Sequence, residues 1–412
     1  MENDSNSTKI TTGNSSGLKS LVPISIVYFM GAFNDNFYKQ AAMLIAVSSG
    51  LTQNQGYAVT IFTLPFLVFA APAGWLADRI QKRKVIIISK WAELFAMLCG
   101  AAGLISGSWP LIFTMLAIMA TQTTVFSPAV NGYLPDLFPE EKIIRVNGIL
   151  RMIITAAILS GIAAAGPALD SRIFGRGEYA VGFIAVMLSL AGIFFSYLIP
   201  GRTTVQTSKP FPWKGPFETL KILFSLRKDN LLFFVIVCDV FIWFSGSLQI
   251  LLLNPLGLNE FSLTKTATSL IIATELIGLA FGGIASSIFA KGPRWYRVII
   301  PAGFLLSFSM ITIPFIKSVP MLHAAAVTMG FGTGLFMIPL ESFIQIRPKQ
   351  GSKGTVWASA NFAIFGGIML SGFLANLMDT HFLPSQSFLY WGIFSAIIIS
   401  TISIFIMRNK LR

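Results

Sequence analysis

The sequence predicts an all-α polytopic membrane protein: twelve transmembrane helices arranged as two six-helix pseudo-repeats. Three observations predict it. Of the 412 residues, 54% are hydrophobic and only 11% charged, against about 25% charged in a typical soluble domain, and the mean hydropathy is +0.72. The apolar residues gather in runs of about 20, the length that crosses a bilayer as a helix. The basic residues alternate in density from one inter-run loop to the next.

Twelve such runs can be drawn: 21–48, 57–77, 85–105, 109–134, 143–165, 178–199, 231–253, 264–290, 296–317, 320–345, 355–378 and 386–406. The first is too long for a signal peptide, lacks a small-residue cleavage site, and carries Asp35 and Lys39 midway. The loops are short except for 200–230, which is basic and contains Pro210, Pro212 and Pro216. The predicted domains are a disordered cytoplasmic tail over 1–17, a six-helix bundle over 18–200, a cytoplasmic linker over 201–230 and a second bundle over 231–412.

Orientation follows from the loops. With a cytoplasmic N-terminus, the inner segments hold Arg79, Lys82, Arg83 and Lys84, then Lys142 and Arg145. They also hold the linker's basic residues, Lys291, Arg294 and Arg297, then Arg347, Lys349 and Lys353, and the C-terminal Arg408, Lys410 and Arg412. The outer segments hold only Arg172, Arg176, Lys265 and Lys317. This positive-inside bias places both termini in the cytoplasm. It also accounts for the net charge of +13 without nucleic acid, because the cations are spread over loops. Cys99 and Cys238 lie in apolar stretches, and His323 and His381 are isolated. Neither a disulfide framework nor a metal cluster is expected. No Walker motif or catalytic triad spacing is present, so neither an enzyme nor a cofactor is expected.

The halves show a weak internal repeat. Residues 127–161 lie against 338–372, pairing Pro128 with Pro339, Lys142 with Lys353, and Leu159-Ser160-Gly161 with Leu370-Ser371-Gly372. Gly74 and Lys82 pair similarly with Gly283 and Lys291. Parallel six-helix repeats suit a transporter with its substrate site near mid-membrane between the halves.

An ionisable residue at the bilayer centre costs roughly 2.5–3.5 kcal/mol on insertion scales, so it is a functional candidate by default. Span 1 holds the densest group: Asn34, Asp35, Asn36 and, four residues beyond Asp35, Lys39. Lys39 suits an anionic group of a ligand, and Asp35 with the two Asn suits a hydroxyl or an amine. A self-neutralising Asp35–Lys39 pair is the structural alternative. Asp239 and Glu275 lie near the middles of spans 7 and 8. Each can serve as a proton site facing a cavity or as a partner for a cation across the bundle. Arg151, two turns into span 5, needs a partner such as Asp35, Glu93 or Glu275, or serves planar phosphate recognition. Asn361 in span 11 and Gln122 in span 4 are further candidates for a cavity role, beside an ordinary packing role. Lys90 and Glu93, three residues apart, read as a local pair. Glu341, one turn from Gln345 near the inner end of span 10, reads first as structural, with a cytoplasmic gate with Arg347 or Arg145 as the alternative. The run Gly330-Phe331-Gly332-Thr333-Gly334 follows no strand, so it reads as close helix packing.

After span 2 comes Gly74-Trp75-Leu76-Ala77-Asp78-Arg79-Ile80-Gln81-Lys82-Arg83-Lys84. This resembles the G-x-L-a-D-r-x-G-r-k signature of the major facilitator superfamily, with Gln81 in place of the usual Gly. Gly74 allows close helix approach. Asp78, with Arg79, Lys82 and Arg83, suits a latch that holds one conformation.

A narrower resemblance covers nearly the whole chain. Residues 31–39 (Gly-Ala-Phe-Asn-Asp-Asn-Phe-Tyr-Lys), 126–135 with Asn147-Gly148, and 339–345 with Asn361-Phe362 are similar to the lysophospholipid transporter family, including the transporter half of acyltransferase-fused members. Val130 and Asn131 stand where that family typically has Lys and often Tyr. The resemblance implies a monomeric secondary transporter moving a lysophospholipid across a bacterial inner membrane by alternating access. A separate acyltransferase would consume the lipid, since the chain ends at Arg412 just after span 12. A proton-coupled facilitator of a small amphiphile (a drug, a siderophore or a sugar phosphate) stays open beside it, as does a membrane sensor or scaffold without transport.

Overall fold

The structure is a computed structural model that describes residues 13–138, 140–173, 175–201, 211–290, 292–349 and 353–408. The predicted tail falls outside it up to residue 12, and from Gly13 the chain is helical. All regular structure among the described residues is helical. The reason is that a lipid-exposed backbone must satisfy its polar groups within its own segment.

Thirteen α-helices form among the described residues: α1 Gly13–Ser48, α2 Gln53–Arg79, α3 Lys82–Ser106, α4 Trp109–Leu137, α5 Glu140–Asp170, α6 Gly177–Tyr197, α7 Gly215–Ser225, α8 Asn230–Pro255, α9 Lys265–Phe289, α10 Ile299–Thr312, α11 Val319–Ile346, α12 Lys353–His381 and α13 Pro384–Arg408. All but the short α7 correspond one to one with the predicted spans. Eleven of the spans are long and apolar enough to cross a membrane among the described residues. The remaining one, α1, carries the polar group at 34–39. The linker holds α7 and a 3₁₀ turn at Leu226–Lys228.

Local signals set the helix ends. Gly107, at φ 68°, closes α3 in the left-handed conformation that glycine adopts without strain. Thr264 caps α9 by accepting the Ala267 amide at 3.1 Å. Asp229 caps α8 through the Leu232 amide at 3.1 Å. At its other end α8 runs into a π turn, Leu256–Glu260, just after Pro255, which has no N–H to donate. The repeat-paired prolines Pro128 and Pro339 both sit inside helices, α4 and α11.

The chain forms two compact units. The first is Met1–Asn36, Phe69–Gly161 and Gly182–Trp213; the second is Phe37–Val68, Ile162–Val181 and Lys214–Arg412. Helices α1, α2, α5 and α6 each run from one unit into the other. The first unit packs Leu21, Ile24 and Val27 of α1 against Ile86 of α3, Phe126, Val130 and Tyr133 of α4, and Leu150 of α5.

In the second unit α9 and α11 touch backbone to backbone. A Cβ on Gly278, Gly282, Gly330 or Gly334 would run into a backbone carbonyl oxygen of the opposite helix: Val327, Phe331, Glu275 and Leu279 respectively. The glycine run thus makes the close packing expected of it. Dispersion and backbone contact hold such pairs, since lipid offers no hydrophobic drive.

Candidate functional site

Residues 34, 35 and 36 are successive on a helix, so their side chains leave α1 about 100° apart. Asn34 turns inward and is fully buried. Its Nδ2 donates to Ser189 Oγ at 2.9 Å and the Ala185 carbonyl at 3.0 Å on α6, and to Glu93 Oε1 on α3 at 3.4 Å. Glu93 pairs with Lys90 at 2.5 Å, and these side chains are 0% and 1% exposed. The Lys90 ammonium also lies 4.9 Å from the Phe126 ring centroid. Space for it comes from Gly31, whose Cβ would stand 2.7 Å from Lys90 Nζ. The pair is local, as its spacing suggests, but it is also the hub that joins α1, α3, α4 and α6.

Asp35 faces α4, where its Oδ2 accepts from Thr123 Oγ1 at 2.9 Å. Thr123 in turn accepts from Gln122 at 2.8 Å. Asn36 donates to the Ala32 carbonyl of its own helix at 2.8 Å. Lys39, in the second unit, is half-buried with Nζ 4.6 Å from the Phe62 ring centroid. Arg151 is exposed on α5, and Glu93, one partner considered for it, is enclosed with Lys90 and Asn34.

In the second unit Asp239 of α8 is fully buried, and neither carboxylate oxygen has a hydrogen-bond partner among the described residues. Glu341 of α11 lies within electrostatic reach of it. Glu275 of α9 is buried, with Oε2 lacking a partner among the described residues. Asn361 is half-buried on α12. Arg347, considered as a gate partner for Glu341, pairs with Asp229 at 3.0 Å. Burial raises the Asp229 pKa, but the Arg347 and Leu232 hydrogen bonds outweigh it, so the carboxyl sits below its usual range.

The loop after α2 is fastened by its basic residues. Lys82 donates to the Gly132 carbonyl at 2.6 Å, and Arg83 to the Tyr197 carbonyl at 2.8 Å. Arg79 lies over the Trp75 ring. Asp78 is exposed, with no hydrogen bond or ion pair to a described residue. A Cβ on Gly74 would meet nothing within 4 Å, so the close approach expected at this glycine is not made here. Val130 is buried in the apolar core, while its neighbour Asn131 is exposed and accepts the Tyr28 hydroxyl at 3.2 Å.

The second unit also contains polar contacts beyond those the sequence predicts. Gln40 donates to Asn254 Oδ1 at 2.8 Å, and Asn254 donates to Gln55 Oε1 at 2.8 Å. All three amides are buried. Nearby segments meet similarly: Gly56 against Gly372, the Gly166 amide on Ser269 Oγ at 3.1 Å, and Asp170 accepting from the Thr266 amide and hydroxyl. The signal that could have found them is an amide side chain within an apolar run, the same signal that singles out Asn34. Asn254→Ala strands two buried amides, so a loss of about 1–3 kcal/mol is expected. A Gln40→Ala/Asn254→Ala double variant should melt little below Asn254→Ala, because contacting residues are not additive.

Known proteins resemble this chain in both sequence and fold. The lysophospholipid transporter LplT of Yersinia enterocolitica is 25% identical over 345 residues, covering 81% of this chain and 80% of that protein. LplT of Salmonella gallinarum is 24% identical over 84% of both chains. Among solved structures, a point mutant of the nucleoside transporter NupG superposes with a TM-score of 0.73 at 13% identity, covering 92% of this chain and 98% of that one. The sequence matches the Major Facilitator Superfamily over residues 24–372, and with twelve long helices in that fold the chain belongs to this superfamily of membrane transporters.

Proposed function

We propose that the protein is a secondary transporter that moves lysophospholipids across the bacterial inner membrane by alternating access, both termini being cytoplasmic. The observation that carries this reading is likeness to lysophospholipid transporters along four-fifths of both chains, together with the polar centre that α1 builds from the block 31–39. Asn34 anchors α1 to α3 and α6. Asp35 with Thr123, and Lys39 along the helix, offer a carboxylate and an ammonium to a zwitterionic head group. Asn36, Arg151, Asp239, Glu275 and Asn361 complete the candidate substrate residues.

The halves 18–200 and 231–412 rock about this centre. With the basic loops in the cytoplasm, the Gln40–Asn254–Gln55 relay and the Gly56–Gly372 contact form a seal toward the outer face. Gly74, Asp78, Arg79, Lys82 and Arg83 form the conformational motif, with Asp78 free to engage when the cytoplasmic side closes. The protein acts as a monomer, and a separate acyltransferase consumes its product.

The test is uptake of labelled lysophosphatidylethanolamine into spheroplasts, followed as its reacylated product. Uptake should require the protein and survive a protonophore. Asp35→Asn should lower it about tenfold or more, the worth of one charge-assisted hydrogen bond. The asparagine keeps an acceptor for Thr123, so the fold is retained. Absence of protein-dependent uptake would overturn the lipid reading. A proton-coupled carrier of a small amphiphile is the second reading. It is favoured by the Asp239 carboxylate, which has no hydrogen-bond donor facing it among the described residues. Collapse of uptake with the proton gradient would select proton coupling.

A further inference from the structure

The loop-facing end of α8 carries a groove that the transport reading does not use. It has a volume of about 610 Å3 and is lined by Arg227, Asn230, Phe233, Phe234, Val237 and Phe405. That volume lies within the roughly 300–1,000 Å3 range of ligand sites. Its chemistry is divided along its length. Arg227 and Asn230 stand at one end, where the loop meets the span, and both are exposed. The rest is hydrocarbon: the Phe234 and Phe405 rings stack at 4.1 Å, and Val237, one turn further along α8, is 51% exposed.

Arg227 is held ready for an anion. Its guanidinium lies 4.7 Å from the Phe224 ring centroid and 5.3 Å from that of Phe233, so two aromatic faces fix its position. It has no ion pair with a described residue. The adjacent acid, Asp229, is engaged by Arg347 and the Leu232 amide, and does not neutralise it. On α7, Phe217, Lys221 and Phe224 follow at the i, i+4, i+7 spacing of one helix face, and all three are exposed, as is Lys228. Apolar rings interleaved with cations are the pattern of a helix lying in the head-group layer.

We propose that this groove binds one anionic phospholipid, with its phosphate on Arg227 and an acyl chain laid along Phe234, Val237 and Phe405. A guanidinium matches phosphate geometry, the apolar side of the groove matches a hydrocarbon tail, and the exposed Lys221 and Lys228 beside it in sequence add to the preference for a net negative head group. The site is a lipid-binding site on the protein's flank and does not depend on what is transported.

The test is native mass spectrometry of the full chain purified in mild detergent, titrated separately with phosphatidylglycerol, phosphatidylcholine and inorganic phosphate. One phosphatidylglycerol should be retained per chain, with phosphatidylcholine held several-fold more weakly. Arg227→Gln should weaken retention about tenfold, the worth of a charge-assisted bond. Val237→Trp, which fills the trough without touching a charge, should weaken it comparably. Asp35→Asn should leave it unchanged, which separates this site from the transport site. Retention unaltered by both groove variants would overturn the proposal. Equal retention of the two lipids would overturn the anionic preference, and displacement by millimolar inorganic phosphate would make this a free-anion site.

Discussion

Lys90→Met should lower the stability of the protein by about 3–5 kcal/mol, the usual cost of leaving one member of a buried ion pair without its partner. Glu93 is fully buried, and besides the lysine it accepts from the Asn34 amide at 3.4 Å. A neutral Met at 90 fills the volume beside Gly31 but offers no positive charge. The melting temperature in detergent should fall by many degrees. The double variant Lys90→Met/Glu93→Leu should recover most of the loss. A buried pair replaced as a whole by apolar side chains is often neutral or stabilising, and Asn34 keeps Ala185 and Ser189 as acceptors. A double variant no better than the single one would show that the charge pair is not what stabilises this hub.

Gly330→Ala should be a highly damaging single methyl among the described glycines. The added Cβ would collide with the Glu275 backbone carbonyl oxygen, which cannot move as the end of a flexible side chain moves. Overpacking of ordinary cores costs about 1–3 kcal/mol. Here the whole of α11 must retreat from α9, so the expected loss is at or above about 3 kcal/mol, with transport lost as well. Gly366→Ala is the control, since a Cβ there meets nothing within 4 Å and alanine favours helix by about 1 kcal/mol over glycine. Melting curves of the two variants side by side check the prediction. Equal melting temperatures would rule out a tight α9–α11 contact.

These two sites differ in how far they could be read in advance. The glycine run in α11 announces close packing by composition, but composition does not name α9 as the partner, nor Gly278 and Gly282 as the answering glycines. Lys90 and Glu93 announce a pair by spacing. Their complete burial, and the way Asn34 locks them to α1 and α6, depends on helices more than fifty residues apart in the chain meeting at one point. The Gln40–Asn254–Gln55 relay joins residues separated by about two hundred positions, and no local pattern marks them as partners. Val130 is a similar case: the resemblance singles out its position, and only packing shows that its side chain points into an apolar core.

The membrane class, the order of the spans, the superfamily motif and the polar group of α1 are all legible in the amino-acid sequence. Each follows from local chemistry. A run of about 20 apolar residues has one low-energy solution in a bilayer, and a charged residue within such a run is costly enough to stand out. Which way each of those polar side chains turns depends on how the helices pack in three dimensions. Neighbours on one helix leave its axis about 100° apart, so Asn34 became an anchor while Asp35 met Thr123. The environment of each side chain was set by what the other helices placed against it.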